Sequence, residues 1–364
     1  MTDAGAGSRL PRWTWAAPLV AALLLAAVGR HVVSAGGGFF LLAAPVVLVV
    51  AVFAAVTHAE TVSQRLGATF GAVVLALAVT AIEVSLIAAL MLHAAAEATT
   101  VARDTVFAGV MVVLNGVVGT ALLVGGLRHR EQHFQLQGTA SALGVLGTLA
   151  IITMVLPDYT VTDPGRFFTP LQLAFVSAAS LLLYGVYIGV QATSQRSYFT
   201  SADPEAAPHA PVPGWVVLRA IGLLVATLAA IVLLADALSP QVQRVVLGAG
   251  LPLEFVAVIV AAIVLLPEAT SAVKAAAEDR VQTSLNFALG SAIASTGLTI
   301  PAIALLSAVL DAPIELGLAP EHVVLLMLTL FVSTLNLSTG RTTVLQGAIH
   351  LAIFVVFLVI AAVP

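Results

Sequence analysis

Two glutamates lie inside apolar stretches that are long enough to cross a lipid bilayer. Glu83 occurs in GAVVLALAVTAIEVSLIAALML, and Glu268 occurs in LEFVAVIVAAIVLLPEATSAV. A charged side chain at bilayer depth is costly, so it is retained where it faces a partner, a cavity or an ion. This unfavourable placement occurs twice in similar surroundings. The pair of carboxylates therefore predicts a path for cations through the membrane.

The chemistry open to such a pair is the exchange of protons for a cation. Two carboxylates brought together in a low dielectric cannot both stay ionised without a counter-charge. Protons and a metal ion therefore compete for the same oxygens, as an antiporter requires. Carboxylate, amide, hydroxyl and free carbonyl oxygens are the ligands that calcium accepts, and sodium can use a subset of them.

Further oxygen-bearing side chains accompany both glutamates. Thr80 shares a helical face with Glu83, and Ser271 shares one with Glu268. A helix rich in small and polar residues follows each glutamate helix, and in the second of them Ser284, Ser291, Ser295 and Thr299 lie on one stripe. Small residues also serve close helix packing, which alone accounts for about half of these positions. The candidate supporting ligands are Thr80, Asn115, Ser271, Asn286, Ser291 and Ser295.

Composition places these residues in an integral membrane protein. Of the 364 residues, 60% are hydrophobic and 9% are charged, and the mean hydropathy is +1.10. Soluble domains carry about 25% charged residues, so this chain cannot cover a water-facing surface. The net charge of −4 argues against a nucleic acid partner, and the absence of cysteine excludes disulfides and thiolate metal sites. The fold class is therefore an all-α membrane protein, with the lipid bilayer as its surroundings.

Hydropathy predicts eleven transmembrane segments, at about 13–29, 38–56, 67–93, 105–127, 139–156, 171–190, 214–237, 246–274, 282–310, 321–338 and 342–363. With the N-terminus inside, nine loop Lys and Arg residues lie on the cytoplasmic side and four on the other. This asymmetry follows the positive-inside rule and predicts a cytoplasmic N-terminus.

The two glutamate helices also predict an inverted repeat. Glu83 lies sixteen residues after Gly67, Glu268 lies sixteen after Pro252, and the two helices run in opposite directions. Transporters with inverted repeats bind ions near the bilayer midplane, where the repeats meet. We therefore predict an N-terminal tail and extra helix at 1–34, five-helix repeats at 35–190 and 214–364, and a cytoplasmic linker at 191–213.

The stretch PEATSAVKAAAEDRVQTSLNFALGSAIASTGLTIP resembles the second repeat of the cation/calcium exchanger superfamily, in its calcium/proton branch. The resemblance extends over most of the chain, through HAETVSQRLGATFGAVVLALAVTAIEVSLIAALML, ARDTVFAGVMVVLNGVVGTALLVGG and STGRTTVLQGAIHLAIF. Within the superfamily, the chain resembles bacterial ChaA-type antiporters. The resemblance implies one essential acid per repeat, at Glu83 and Glu268. Many relatives carry Gly-Asn-x-x-Glu before the acid, and a glutamine common in the family is Ala294 here, so fewer amide ligands are present.

These observations predict a secondary active antiporter that exports calcium in exchange for protons, with Glu83 and Glu268 as the cation and proton site. A sodium or potassium/proton antiporter with the same site is the alternative, followed by a passive cation channel. A membrane-embedded sensor that uses the 191–213 loop leaves the paired acids unexplained. No Walker, zinc-protease or hydrolase motif is present, so neither an enzyme nor a cofactor is expected. The predicted location is the bacterial inner membrane.

Overall fold

The computed structural model describes residues 10–93, 98–161, 165–193, 198, 212–310 and 313–363, without the side chains of 67–70, 72, 93, 98 and 310. Most of the predicted linker at 191–213 lies outside the described residues, as does most of the N-terminal tail before the first helix. The limits of the two repeats therefore remain a prediction.

The described chain is almost entirely helical. Its helices are α1 Arg12–Gly29, α2 Gly38–His93, α3 Ala98–Met111, α4 Val118–His129, α5 Leu136–Ala150, α6 Pro170–Ala192, α7 Gly214–Gly248, α8 Glu254–Ala277, α9 Val281–Ala294, α10 Ile300–Leu310, α11 Pro320–Leu337 and α12 Val344–Ala362. Three π-helical segments interrupt this pattern, π1 Val112–Val117, π2 Ile151–Val155 and π3 Ser295–Thr299. A 3-10 turn, Leu156–Tyr159, follows π2.

Eleven helical segments of the described chain are long and apolar enough to cross a membrane, which confirms the predicted number. Two of them, Gly38–Leu66 and Val73–Leu92, belong to α2. The chain folds back sharply between them, since a Cβ at Gly71 would lie 2.6 Å from the Ser63 carbonyl oxygen. In a straight helix, residues eight apart are separated by about 12 Å. Glycine is therefore required at 71 by a close approach of backbone.

More than one predicted boundary is wrong. The span predicted at 38–56 continues to Leu66, and the span predicted at 105–127 begins at Thr99. The spans predicted at 214–237 and 246–274 meet differently, because α7 continues to Gly248 and α8 begins at Glu254. Pro240 lies inside α7 without ending it. The helix ends where Gly250 adopts a φ of +76°, a left-handed conformation that glycine enters at little cost.

The helices pack into two hydrophobic clusters that share α8 and the second span of α2. One cluster joins α1, the two spans of α2, α7 and α8. The other joins α3 to α6 with α8 to α12 and includes Ile87 and Met91 of α2. Helix α8 contributes Val260 and Val264 to the first cluster and Ala261 and Leu265 to the second. Because α8 also carries Glu268, this residue belongs to a helix that both halves of the interior hold in place.

Short polar links tie the two predicted repeats together at both ends of the helices. At one end, β1 Glu131–His133 pairs antiparallel with β2 Arg341–Thr343. At the other end, Arg103 binds Asp104 at 2.8 Å, the Glu315 carboxylate at 2.9 Å and the Gly317 carbonyl at 2.8 Å. Arg103 and Asp104 are each only 5% exposed. The buried ion cluster thus connects α3 to the segment that precedes α11.

Candidate functional site

Glu83 is buried in the second span of α2 and is held by two hydroxyl groups. The Ser295 hydroxyl lies 2.8 Å from each of its carboxylate oxygens, and the Thr299 hydroxyl donates to Oε2 at 2.8 Å. Both hydroxyls belong to π3, which begins 212 residues after Glu83 in the sequence. Hydrogen bonds to a charged acceptor are stronger than neutral ones. The carboxylate is therefore fixed against the opposite predicted repeat.

Glu268 lies on α8 directly after Pro267 and is less completely bonded. Its Oε2 atom is buried and has no hydrogen-bond partner among the described residues. The charges of Glu60 and Glu83 both act on the Glu268 carboxyl group. A buried carboxylate oxygen without a donor is unfavourable unless a proton or a cation neutralises it. The two acids selected from the sequence thus interact electrostatically, and a third acid joins them.

Each glutamate helix packs against a π-helical segment of the other predicted repeat. Helix α2 contacts π3, and α8 contacts π1. The two segments occupy corresponding places, because π1 begins 13 residues after its span starts at Thr99 and π3 begins 14 residues after Val281. A π-helical turn disrupts the regular hydrogen bonding of an α-helix and is frequent at functional sites. This paired interruption was not predicted from the sequence.

Two of the predicted supporting ligands carry buried hydroxyls without partners. Thr80 precedes Glu83 by one helical turn, is 7% exposed, and its Oγ1 atom has no hydrogen-bond partner in the described chain. Ser291 precedes Ser295 by one turn, and its Oγ atom is likewise buried and without a described partner. Polar groups in an interior are usually hydrogen-bonded. These two hydroxyls therefore remain available to a ligand beside Glu83.

The remaining predicted ligands are engaged or exposed. Asn115 lies in π1, donates to the Thr329 hydroxyl at 2.9 Å and has its Oδ1 atom 3.2 Å from Nδ1 of His350. Asn286 accepts a hydrogen bond from Gln282 at 2.9 Å. Ser271 is exposed. Asn115 is therefore engaged by Thr329 and His350, and Asn286 by Gln282.

Buried His350 belongs to the polar cluster around Asn115. Its Nδ1 atom approaches Asn115, and Thr329 in turn lies 3.5 Å from the sulfur of Met111. These contacts connect α12, α11 and π1. A buried histidine can relay protons or hold helices together through hydrogen bonds, and the observed contacts favour the second role for His350.

Two residues of this region were missed as ligands. Thr299 donates to Glu83, and its place on the stripe of Ser291 and Ser295 was the signal. Glu60 is exposed and acts on Glu268 through its charge. It lies near the end of a membrane span, where charged residues are common, so its position alone did not make it a candidate ligand. Distances along the sequence could not have paired it with Glu268.

No three His, Asp or Glu side chains lie close enough together to hold a metal ion in the part of the chain that the structure describes. A cation bound by Glu83 and Glu268 would therefore need hydroxyl or backbone carbonyl oxygens as further ligands. The residues present fit this need, since calcium and sodium accept neutral oxygen donors beside carboxylates.

Comparison with known proteins agrees with this arrangement. A model of the sodium/calcium exchanger protein family matches residues 37–193 and 219–363. A provisionally named ionic transporter, y4hA, of Sinorhizobium fredii is 47% identical over 98% of both chains. The sodium-potassium/proton antiporter ChaA of Escherichia coli is 33% identical over 85% of this chain and 84% of its own.

Among solved structures, the selenium-substituted Ca2+/H+ antiporter protein YfkE matches with a TM-score of 0.73 at 16% identity, over 97% of this chain and all of the other. At that identity the likeness concerns the fold, which is that of membrane exchangers with inverted repeats. The family model matches twice, once on each side of the predicted linker. Together with the E. coli relative, these matches show that the chain belongs to the sodium/calcium exchanger protein family.

Proposed function

We propose that this protein is a secondary active cation/proton antiporter whose site is formed by Glu83 and Glu268. The observation that carries the proposal is that both acids are buried in membrane spans and incompletely neutralised. Glu83 is bonded to Ser295 and Thr299 across the predicted repeats, and the buried Oε2 atom of Glu268 has no hydrogen-bond partner among the described residues. The names of the E. coli antiporter and of the YfkE antiporter support the same class of transport.

The mechanism derives from the electrostatics of the pair. When both carboxylates are ionised they repel each other in a low dielectric, so the charged pair needs a cation. When the cation leaves, protons neutralise the same oxygens. The protein then changes access with either cation or protons bound, and alternates between the two sides of the membrane. Inward proton movement would drive cation export.

The neighbouring oxygens have distinct proposed roles. Ser295 and Thr299 hold the Glu83 carboxylate in place, and Thr80 and Ser291 supply neutral ligand oxygens. Exposed Glu60 attracts cations or protons toward Glu268. Asn115 acts indirectly, by holding π1 against α8 through its contacts with Thr329 and His350.

Calcium is the cation that we propose first, because two carboxylates with several neutral oxygens suit a divalent ion. A specific observation favours sodium or potassium as the second candidate. Asn115 is bonded to Thr329 and His350, which leaves the site without an amide ligand from this residue. The E. coli relative is named for sodium and potassium. We further propose a bacterial inner-membrane location and a cytoplasmic N-terminus, from the charge asymmetry of the loops.

Proton movement in everted membrane vesicles tests this function. Respiration acidifies the vesicles, and each cation is then added separately. We expect calcium at micromolar concentrations to discharge the proton gradient. Discharge by sodium or potassium instead supports the second candidate. If no cation discharges it in vesicles that contain the folded protein, antiport is contradicted.

Ser295→Ala should weaken the apparent affinity for the transported cation. The change removes the hydroxyl that contacts both oxygens of Glu83. A hydrogen bond to a charged group contributes about 1.5–3 kcal/mol, so we expect the half-saturating concentration to rise about tenfold or more. The measurement is cation-dependent proton movement over a range of concentrations.

Ser180→Ala is the matched control for this change. Ser180 is also fully buried, but its hydroxyl bonds to the Val176 carbonyl of its own helix. We expect the control to keep the affinity of the unmodified protein. Equal effects of the two substitutions would contradict the role of Ser295.

A further inference from the structure

All three tryptophans of the chain lie at one end of the molecule. Trp13 and Trp15 are in the first turn of α1, and Trp215 is in the first turn of α7. Helices α1 and α7 contact each other, and all three indoles are between 40% and 55% exposed. Tryptophan is enriched at the level of lipid headgroups, because its ring is apolar and its N–H is polar. The placement marks one membrane interface.

An arginine lies between two of these rings. The guanidinium carbon of Arg219 is 4.8 Å from the centre of the Trp215 ring and 5.7 Å from that of Trp15. Trp215 and Arg219 are four residues apart on α7 and so share a face. Both distances are within the range of a cation–π contact. The two indoles, on different helices, therefore fix the direction of one exposed guanidinium group.

Arg219 carries a charge that the described part of the chain does not neutralise. Among the described residues, no carboxylate lies within ion-pair distance of it. A second exposed cation is close, because Arg65 donates to the Val212 carbonyl at 2.8 Å and packs beside Gly214, next to Trp215. The guanidinium groups present a planar set of donors that matches phosphate oxygens.

The surface beyond Arg219 is apolar. On α7, Leu218, Ile221 and Val225 are 72%, 43% and 62% exposed. On α1, Leu19 and Leu23 are 64% and 70% exposed. Apolar side chains thus extend along both helices from the charged surface around Arg219. A ligand with a negative headgroup and long hydrocarbon chains fits this arrangement, whereas a free phosphate would contact only the charged part of the surface.

We propose that Arg219, Arg65, Trp15 and Trp215 form a binding site for the phosphate headgroup of an anionic phospholipid. Its acyl chains would lie along the exposed faces of α1 and α7. The site is separate from Glu83 and Glu268, and the proposal does not rest on the transport activity. Basic residues near the membrane surface each strengthen binding of anionic lipid by about five-fold.

Native mass spectrometry of the full chain in detergent tests this site. The protein is titrated with phosphatidylglycerol, phosphatidylethanolamine and, in a separate arm, inorganic phosphate. We expect the unmodified protein to bind phosphatidylglycerol more tightly than phosphatidylethanolamine. Arg219→Ala should weaken phosphatidylglycerol binding about five-fold, and Arg65→Ala should weaken it by a similar factor.

Arg244→Ala is the matched control, because Arg244 is an exposed arginine near the opposite end of the same helix. We expect this variant to bind phosphatidylglycerol as tightly as the unmodified protein does. We expect all variants to have the melting temperature of the unmodified protein. Any of three results would overturn the proposal. They are equal binding of the two lipids, displacement of lipid by inorganic phosphate, and equal effects of Arg219→Ala and Arg244→Ala. A change in oligomeric state without a change in lipid binding would also overturn it, and would make a second copy of the chain the occupant.

Discussion

Glu268→Gln and Glu83→Gln should each abolish cation-driven proton movement while leaving the fold intact. Glutamine has nearly the same shape as glutamate but carries no charge and takes up no proton in this range. Its amide oxygen can still accept from Ser295 and Thr299 at position 83. The substitution therefore removes the charge that balances the cation and the group that carries the proton. The measurement is the everted-vesicle assay, with the amount of folded protein determined in parallel.

Glu254→Gln is the control for the first prediction, because Glu254 is an exposed acid on the same helix as Glu268. We expect it to transport at close to the normal rate. Normal exchange by either of the two site variants would contradict the assignment of that glutamate. Equal loss in the Glu254 variant would instead indicate that charge anywhere on α8 controls transport.

Arg103→Ala should cause the largest loss of stability among the single changes considered. Its guanidinium binds Asp104 and Glu315 and donates to the Gly317 carbonyl. Removal leaves Asp104 buried without its charged partner. Breaking a buried ion pair on one side costs about 3–5 kcal/mol. A fall in the thermal denaturation temperature of the purified protein, by several degrees, is the expected result.

Arg166→Ala provides the comparison for Arg103. Arg166 is 36% exposed, and its contacts with Asp158 and Glu315 are longer, at 3.6 and 3.9 Å. The longer distances and the half-exposed guanidinium weaken these pairs. We therefore expect a smaller fall in the denaturation temperature than for Arg103→Ala. Similar temperatures for the two variants would show that the buried cluster around Arg103 does not stabilise the link between α3 and the segment before α11.

The number and sequence of the membrane spans could be predicted because hydrocarbon thickness fixes the length of an apolar helix. The boundary between α7 and α8 could not be predicted in this way. It depends on the backbone conformation at Gly250, and Pro240 lies inside α7 without ending it. The fold-back between Ser63 and Gly71 likewise depends on a close backbone contact that hydropathy does not register.

At the site, the sequence singled out the two acids and Ser295 as candidates because their positions are exceptional by burial or by helical spacing, and their roles stay predictions. The contacts of Asn115 could not be predicted, for a structural reason. Asn115 lies in π1, where the regular hydrogen bonding of the helix is broken. One inserted residue rotates the next helical turns by about 100°, so a spacing of 3.6 residues per turn no longer states which face a side chain occupies. Its partners, Thr329 and His350, come from helices more than 200 residues away.

The central claim is that one site holds either a cation or protons, and obligate coupling tests it most directly. The purified protein is placed in liposomes with a calcium, sodium or potassium gradient, no pH gradient, and the membrane potential clamped to zero. We expect one of these gradients to drive protons uphill in the opposite direction, and we expect Glu83→Gln and Glu268→Gln to stop both fluxes. Cation flux without any proton movement would contradict antiport and indicate a passive channel.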